Sequence, residues 1–347
     1  MTHDFEGKGS EGKESEGKGE VSMVATAADS RTGRRTVAVL GGTGFIGGAL
    51  CRYLADHGHE VVAVSRRAAP DVPWRTRLLD LSTAGTPEVA ALLGEEGVDA
   101  VVNAAGGMWG LTDDEMVAAN VTLVTRLLEA VTQLGNRPRL VQVGSVHEYG
   151  LVPIGTSIGE DTPTRPVMHY GELKAQCTQM VTEAAARGDV DGLTLRIGNV
   201  VGAGQPAVSL LGVVAQQLRD AAREGRPAVL NLGHLGSQRD FAGLSDCVRA
   251  IYAAVTAPGP LPPVINIGSG VASPARDLVR ELIEVSGVPA ELNEAPRQGP
   301  PEETWHQLRI DLAREALGWS PSLGLREDIK HLWEYCDSNV GDPRANG

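Results

Sequence analysis

Residues 36–50 read TVAVLGGTGFIGGAL, and this stretch decides the fold. Thr36–Leu40 is a short, Val-rich apolar run, which reads as a buried strand. Gly41, Gly44 and Gly47 follow at a spacing of three, and ALCRYLADHGH after them carries a helical pattern. A strand that passes through glycines into a helix brings bare backbone N–H groups to a helix N-terminus, where the dipole favours negative charge. That is how a dinucleotide pyrophosphate is held. Thr43, Phe45 and Ile46 lie in the same turn and join the glycines as cofactor-binding candidates. With 43 glycines in 347 residues a glycine cluster means little by itself; its place between strand and helix gives it meaning.

Further apolar runs follow at EVVAVS (60–65), VDAVVNAAG (98–106), RLVQVGS (139–145) and LTLRIGNVVG (193–202), with helical patterns at 113–134 and 168–188 between them. Strand and helix in alternation imply parallel strands joined by right-handed crossovers, so the fold class is α/β, a doubly wound parallel sheet of the Rossmann kind. Residues 35–204 form this cofactor-binding domain, with later crossings near 240–270. Residues 205–336 make most of a smaller C-terminal substrate-binding lobe, with helices at 210–224, 245–256 and 274–286. Residues 1–34, mostly Gly, Lys, Glu and Ser, read as a disordered tail, and 337–347 as a flexible one.

Composition excludes several classes. With 31 Lys and Arg against 44 Asp and Glu the net charge is -13, and no long basic run offers a face to nucleic acid. There is no run of eighteen apolar residues and no apolar core of a signal peptide, so a cytoplasmic protein without a membrane partner is expected. The four cysteines (Cys51, Cys177, Cys247, Cys336) lie far apart, and no HExxH or calcium loop occurs, so no metal is implied.

After the second strand, where a free ribose 2′-hydroxyl calls for an acid, stand Ser65, Arg66 and Arg67. A hydroxyl with forked guanidinium donors suits a 2′-phosphate, which favours NADP(H) over NAD(H); the alternative is two arginines solvating a surface turn. Asp80, beside Leu81, offers an acceptor to an adenine amino group, or else caps a turn. Tyr170 and Lys174, in YGELK, are four apart on one helix face. An ammonium beside a phenol favours phenolate, giving a group that exchanges protons near neutral pH. Ser145 ends the strand LVQVGS on the side where open α/β sheets bind ligands. His147, Glu148, His169 and Trp109 lie close in sequence to these positions, each with a plain structural alternative as a pocket, capping or surface side chain.

At these residues the chain resembles the short-chain dehydrogenase/reductase superfamily, in its extended branch of nucleotide-sugar-modifying enzymes, from about Thr36 to Ile329. GGTGFIG is similar to the cofactor turn of that family, and NAAG, with Ala104, Ala105 and Gly106, to its fourth-strand motif. Asn120 matches its central-helix asparagine. The resemblance implies Ser145, Tyr170 and Lys174 as the catalytic set, with Tyr170 and Lys174 also at the cofactor. It implies Asn199 and Arg239, in the RDF motif, at the substrate, and His147 beside them. Val146 and His147 stand where 4,6-dehydratases carry Asp-Glu, so water elimination is not expected. The pattern is closer to the 4-keto-6-deoxysugar nucleotide reductases, especially the GDP-6-deoxymannose type. Leu173 departs from it, because a small residue usually precedes the Lys. The resemblance implies NADPH-dependent reduction of the C4 ketone of a dTDP- or GDP-linked sugar in a homodimer. The alternatives are a nucleotide-sugar epimerase, a ketoreductase acting on a non-sugar natural product, and a non-catalytic binding protein.

Overall fold

The computed structural model describes residue 1 and residues 33–68, 71–297, 305–322 and 324–338. The two expected tails fall almost wholly outside these residues. In chain order the strands are β1 (Thr36–Leu40), β2 (Glu60–Ser65), β3 (Arg75–Leu78), β4 (Ala100–Asn103), β5 (Arg139–Ser145), β6 (Asp191–Ile197), β7 (Asn199–Val201), β8 (Ala228–Leu232), β9 (Gln238–Gly243), β10 (Val264–Ile267), β11 (Ala272–Pro274) and β12 (Ala290–Glu294). The helices are α1 (Phe45–Asp56), α2 (Thr86–Glu96), α3 (Asp113–Val117), α4 (Leu123–Thr132), α5 (His169–Ala186), α6 (Leu210–Arg223), α7 (Leu244–Thr256), α8 (Ala275–Ser286), α9 (Asp311–Leu317) and α10 (Leu325–Ser338).

Seven strands form one sheet in the order β10-β6-β5-β4-β1-β2-β3, every neighbouring pair parallel. Its central strands are Val-rich because both faces are covered: Val37, Val39, Val62, Val64, Val101 and Val102 are completely buried. Each such side chain contributes on the order of 1.5–3 kcal/mol. One face packs Leu50 and Leu54 of α1 and Ile251 and Val255 of α7. The other packs Leu92 of α2, Leu127 of α4 and Val181 of α5. Arg75 and Arg77 give the edge strand β3 charges that pair with Glu95 and Glu96, which blunts an exposed edge. No sequence pattern marked this polar strand.

The rest of the chain builds two small sheets, β11-β9-β7 and β12-β8, with α6, α8 and α10 packed around Leu218, Leu230, Val279, Leu282 and Leu332. β10 returns to the edge of the large sheet. The helix expected over 113–134 is two helices, α3 and α4, joined by a wide π-turn at Ala118–Thr122. No helix among the described residues is long and apolar enough to cross a membrane.

Candidate active site

Strand order reverses between β1 and β4, and the crevice at such a reversal, beyond the strand C-termini, is where these sheets bind ligands. Gly41 leaves β1 with φ at 76°, a conformation that favours glycine, and its N–H bonds the Val64 carbonyl at 2.9 Å. A Cβ on Gly47 would lie 2.2 Å from the Gly41 oxygen, and one on Gly41 would lie 2.9 Å from Ala105. The turn therefore closes only with glycine at both places. Gly44 is the N-cap of α1, its own N–H closing the turn on the Gly41 carbonyl at 2.8 Å, and no side chain caps the first amides, so the N–H groups of Phe45 and Ile46 remain open to an anion. This cradle fits a dinucleotide pyrophosphate.

The residues beyond β2 divide. Arg66 and Arg67 are exposed and free to meet a phosphate. Ser65 is 5% exposed and its hydroxyl donates to the Arg67 carbonyl at 2.5 Å, so without ligand its hydrogen is directed into the turn and the exposed phosphate donors are the two arginines. Asp80 accepts from the Ser82 hydroxyl at 2.6 Å and the Ser82 amide at 3.0 Å. Those bonds, with a smaller contribution from Arg66, hold its carboxyl below the ordinary range. Both bonds fall on Oδ1, so the exposed side chain braces its own turn and keeps Oδ2 as an acceptor. Leu81 is buried in the core beneath it.

The turn after β4 carries Ala104, Ala105 and Gly106, the last with φ at 138°. Where a Cβ on Gly106 would stand, Asn120 Oδ1 is 2.8 Å away and Lys174 Nζ 3.3 Å away. The π-turn swings Asn120 inward to 2% exposure. Its Nδ2 donates to the Met116 and Gly107 carbonyls, at 2.8 and 3.0 Å, and its Oδ1 is buried without a hydrogen-bond partner among the described residues. Lys174, 5% exposed, donates to the Val143 carbonyl at 3.1 Å and holds Nζ 5.7 Å from the Tyr170 ring centroid. Leu173 before it is buried, so the larger side chain is accommodated.

Ser145 ends β5. Its amide donates to Glu148 Oε1 at 2.9 Å, and its Oγ accepts from the His147 amide at 3.2 Å, which leaves the hydroxyl hydrogen available. Glu148 is completely buried and pairs with Arg196 at 2.7 Å. Burial pushes the Glu148 carboxyl up and the Arg196 charge opposes it. Glu148 is a bracket behind Ser145, and a contact to a sugar hydroxyl is ruled out. A free hydroxyl, a phenol and an ammonium are the groups needed to give a proton to a carbonyl oxygen and to stabilise its growing charge.

Arg239 comes from β9, half-buried, with no carboxylate paired to it among the described residues. Burial lowers its guanidinium from the ordinary value, as expected of a cation stripped of water with no anion given in return. Asp240 does not pair with it. That carboxylate accepts from Ser269 N and Oγ, Gly270 N and Leu308 N, at 2.6, 2.7, 3.0 and 3.0 Å. Asn199 donates to the Asp240 carbonyl at 3.2 Å, tying β7 to β9.

His147 stands edge-on to Tyr170, ring centroids 6.2 Å apart. Burial, with Arg239 and His306 nearby, pushes it down to about 4, so its ring is neutral near pH 7. His306 is the residue that sequence reasoning missed: its ring lies 5.9 Å from that of His147, and burial and Arg239 lower it too. No motif surrounds it. His169 is exposed and contacts Glu172 at 3.3 Å, and Trp109 is 52% exposed on its loop.

Known proteins are similar to this chain. The "NAD dependent epimerase/dehydratase family" matches residues 37–268. The dTDP-6-deoxy-L-talose 4-dehydrogenase (NAD(P)(+)) of Kitasatospora kifunensis is 50% identical over 300 residues, 86% of this chain and 94% of that protein. The UDP-glucose 4-epimerase of Corynebacterium glutamicum is 27% identical over 88% of this chain and 96% of its own length. Among solved structures, MoeE5 in complex with UDP-glucose and NAD superimposes with a TM-score of 0.74 at 28% identity, covering 88% of this chain and all 100% of that one. With its glycine turn at the reversal of a seven-stranded parallel sheet, this chain belongs to the NAD dependent epimerase/dehydratase family and is an NAD(P)-dependent oxidoreductase.

Proposed function

We propose that this enzyme reduces the C4 ketone of a dTDP- or GDP-linked 4-keto-6-deoxyhexose with NADPH. The 4-dehydrogenation in the name of its 50% identical relative is the same exchange run in the opposite direction. The bound dinucleotide supplies the hydride that C4 receives. The amides of the Gly41–Gly47 turn would hold its pyrophosphate, with Ala104, Ala105 and Gly106 along the opposite wall. Tyr170 gives the phenolic proton to the oxygen on C4, and the free Ser145 hydroxyl donates a hydrogen bond to that oxygen as charge develops. Lys174, anchored on Val143, keeps its ammonium beside the phenol, and Asn120 offers Oδ1 to the same space. Residues 205–336 supply most of the substrate side, with Asn199 and His147 beside the sugar.

The observation that carries the nucleotide-sugar reading is Arg239, half-buried and without a carboxylate partner among the described residues. A guanidinium takes two phosphate oxygens through parallel charge-assisted bonds, whereas a neutral ketone offers it nothing comparable. Incubation with NADPH and a panel of dTDP- and GDP-4-keto-6-deoxysugars tests the reading: one or more consumes NADPH, and failure of the whole panel overturns it.

The cofactor preference rests on Arg66 and Arg67. A phosphate–arginine contact contributes on the order of 1.5–3 kcal/mol, so kcat/KM favours NADPH over NADH by at least about tenfold, and Arg66→Ala narrows the gap. Equal values for both cofactors in the unaltered protein would refute the preference. The 27% identical epimerase supports a second reading, in which bound NAD oxidises and re-reduces one sugar, and under which this enzyme would consume no added cofactor. A homodimer through α4 and α5 is the assembly we infer, tested by sedimentation.

A further inference from the structure

His306 sits on a strap, residues 305–310, fixed from both sides. Its amide donates to the Gln238 carbonyl at 3.0 Å, while Ile158 exchanges bonds of 2.8 Å with Gln307 and Arg309. Trp305 Nε1 reaches the Thr156 carbonyl at 2.8 Å, and the Leu308 amide reaches Asp240 at 3.0 Å. The His306 ring is 2% exposed, with Nε2 3.1 Å from the Gly150 carbonyl. A carbonyl only accepts, so the neutral ring carries its proton on Nε2 and leaves Nδ1 as a bare acceptor. That Nδ1 is buried with no hydrogen-bond partner among the described residues. Buried polar atoms are almost always paired, so an unpaired one beside the candidate site points to a partner engaged only when substrate is bound.

The nearest ring to that of His306 in the site is His147. Their centroids are 5.9 Å apart with planes at 85°, and the ring of Tyr170 lies 6.2 Å from that of His147. Imidazoles joined by an N–H···N bond stand about 5 Å apart between centroids, so closing this gap takes less than about 1 Å. Bonds of this kind are often long in the free enzyme and tighten on substrate.

We propose that His306 is a positioning residue that sets His147 as an acceptor for the hydroxyl on C3, the carbon next to the reacting ketone. The C3 hydroxyl donates to the bare nitrogen of His147, the His147 N–H donates to Nδ1 of His306, and Nε2–H of His306 donates to the Gly150 carbonyl. This rests on the nucleotide-sugar reading above. Of the two carbons flanking C4 in a 6-deoxyhexose, C5 carries only the ring oxygen and the C6 methyl, neither of which donates, whereas C3 carries a hydroxyl. The chain is neutral throughout and needs an uncharged His147. The groups facing that ring are Arg239 from β9, His306 from the strap and Tyr170 from α5, and none is a carboxylate that would draw a second proton onto it.

The test is kcat/KM for a nucleotide-linked 4-keto-6-deoxyhexose against its 3-deoxy counterpart. A site built to bond a hydroxyl rejects the analogue lacking it, so the unaltered enzyme prefers the 3-hydroxy sugar by roughly tenfold or more. His306→Phe fills the volume without Nδ1 and brings the ratio close to one, while His306→Gln, which keeps a donor and an acceptor, restores most of it. A His306→Phe enzyme that keeps the full ratio overturns the proposal. Should that variant not fold, ¹⁵N-histidine spectra of the unaltered enzyme with NADP⁺ and nucleotide sugar decide: His147 neutral in a single tautomer supports the chain, and a tautomer mixture overturns it. If the unaltered enzyme turns over neither sugar, the nucleotide-sugar reading fails and takes this one with it. If it turns over both equally, only the histidine assignment fails.

Discussion

Replacing Arg239 by alanine separates ligand binding from architecture. The neighbouring acids are already engaged: Asp240 by four donors, and Asp246 by Arg249 at 2.6 Å and by Ser322. Removing the guanidinium therefore orphans no buried carboxylate, and the roughly 3–5 kcal/mol lost when a buried ion pair is broken does not arise. What disappears is a charge-assisted phosphate contact of about 1.5–3 kcal/mol, which raises KM for the nucleotide sugar by roughly one to two orders of magnitude. The melting temperature stays nearly unchanged. A second consequence follows from the same charge: His147 and His306, both held down partly by Arg239, move up towards ordinary values in the variant. Steady-state kinetics at saturating NADPH, a thermal melt and histidine titration read these effects together. A variant that melts early with a normal KM would show that Arg239 orders the lobe, and the diphosphate assignment would be wrong.

Tyr170→Phe keeps the ring and removes the proton donor, so NADPH affinity is retained and kcat falls about 10²–10⁴-fold; full turnover would assign the proton to another group. Gly47→Ala puts a Cβ 2.2 Å from the Gly41 oxygen and forces the turn to open by about 1 Å, a misplacement that weakens catalysis roughly 10²-fold. The same opening weakens the grip on the pyrophosphate, so fluorescence titration shows a lower NADPH affinity, and unchanged affinity would mean the turn is not the cradle. Stability declines on the acid side, because the folded protein holds His147 at about 4 whereas the unfolded chain takes up a proton near 6.5. The contribution is present above pH 6.5 and lost as pH falls towards 4; urea midpoints for the unaltered protein and His147→Gln converge across that window, and parallel curves would contradict it.

The glycine turn and the Tyr170–Lys174 pair were legible because each is local: a strand, a tight turn and one helical repeat bring their own residues together. Asn120 was legible as a position, but the π-turn that aims it was not, since the apolar periodicity runs through 113–134 without a break. Ser65 and Glu148 were read as available polar groups, and short-range hydrogen bonds to Arg67 and Ser145 engage them. His306 was invisible for the opposite reason. Its place beside His147 is set by bridges from Gln238 to Trp305 and from Ile158 to Leu308, pairings between distant segments that no local pattern announces.

Deuteride transfer tests the central claim most directly. The enzyme is given NADPH deuterated at the transferring position and a nucleotide-linked 4-keto-6-deoxyhexose, and the product is read by mass and NMR. The account predicts one deuterium, bound to C4, with the nucleotide still attached and one equivalent of NADPH oxidised. An isomerised sugar carrying no deuterium would make the enzyme an epimerase, and deuterium delivered only to ketones without a nucleotide diphosphate would remove Arg239 from the account.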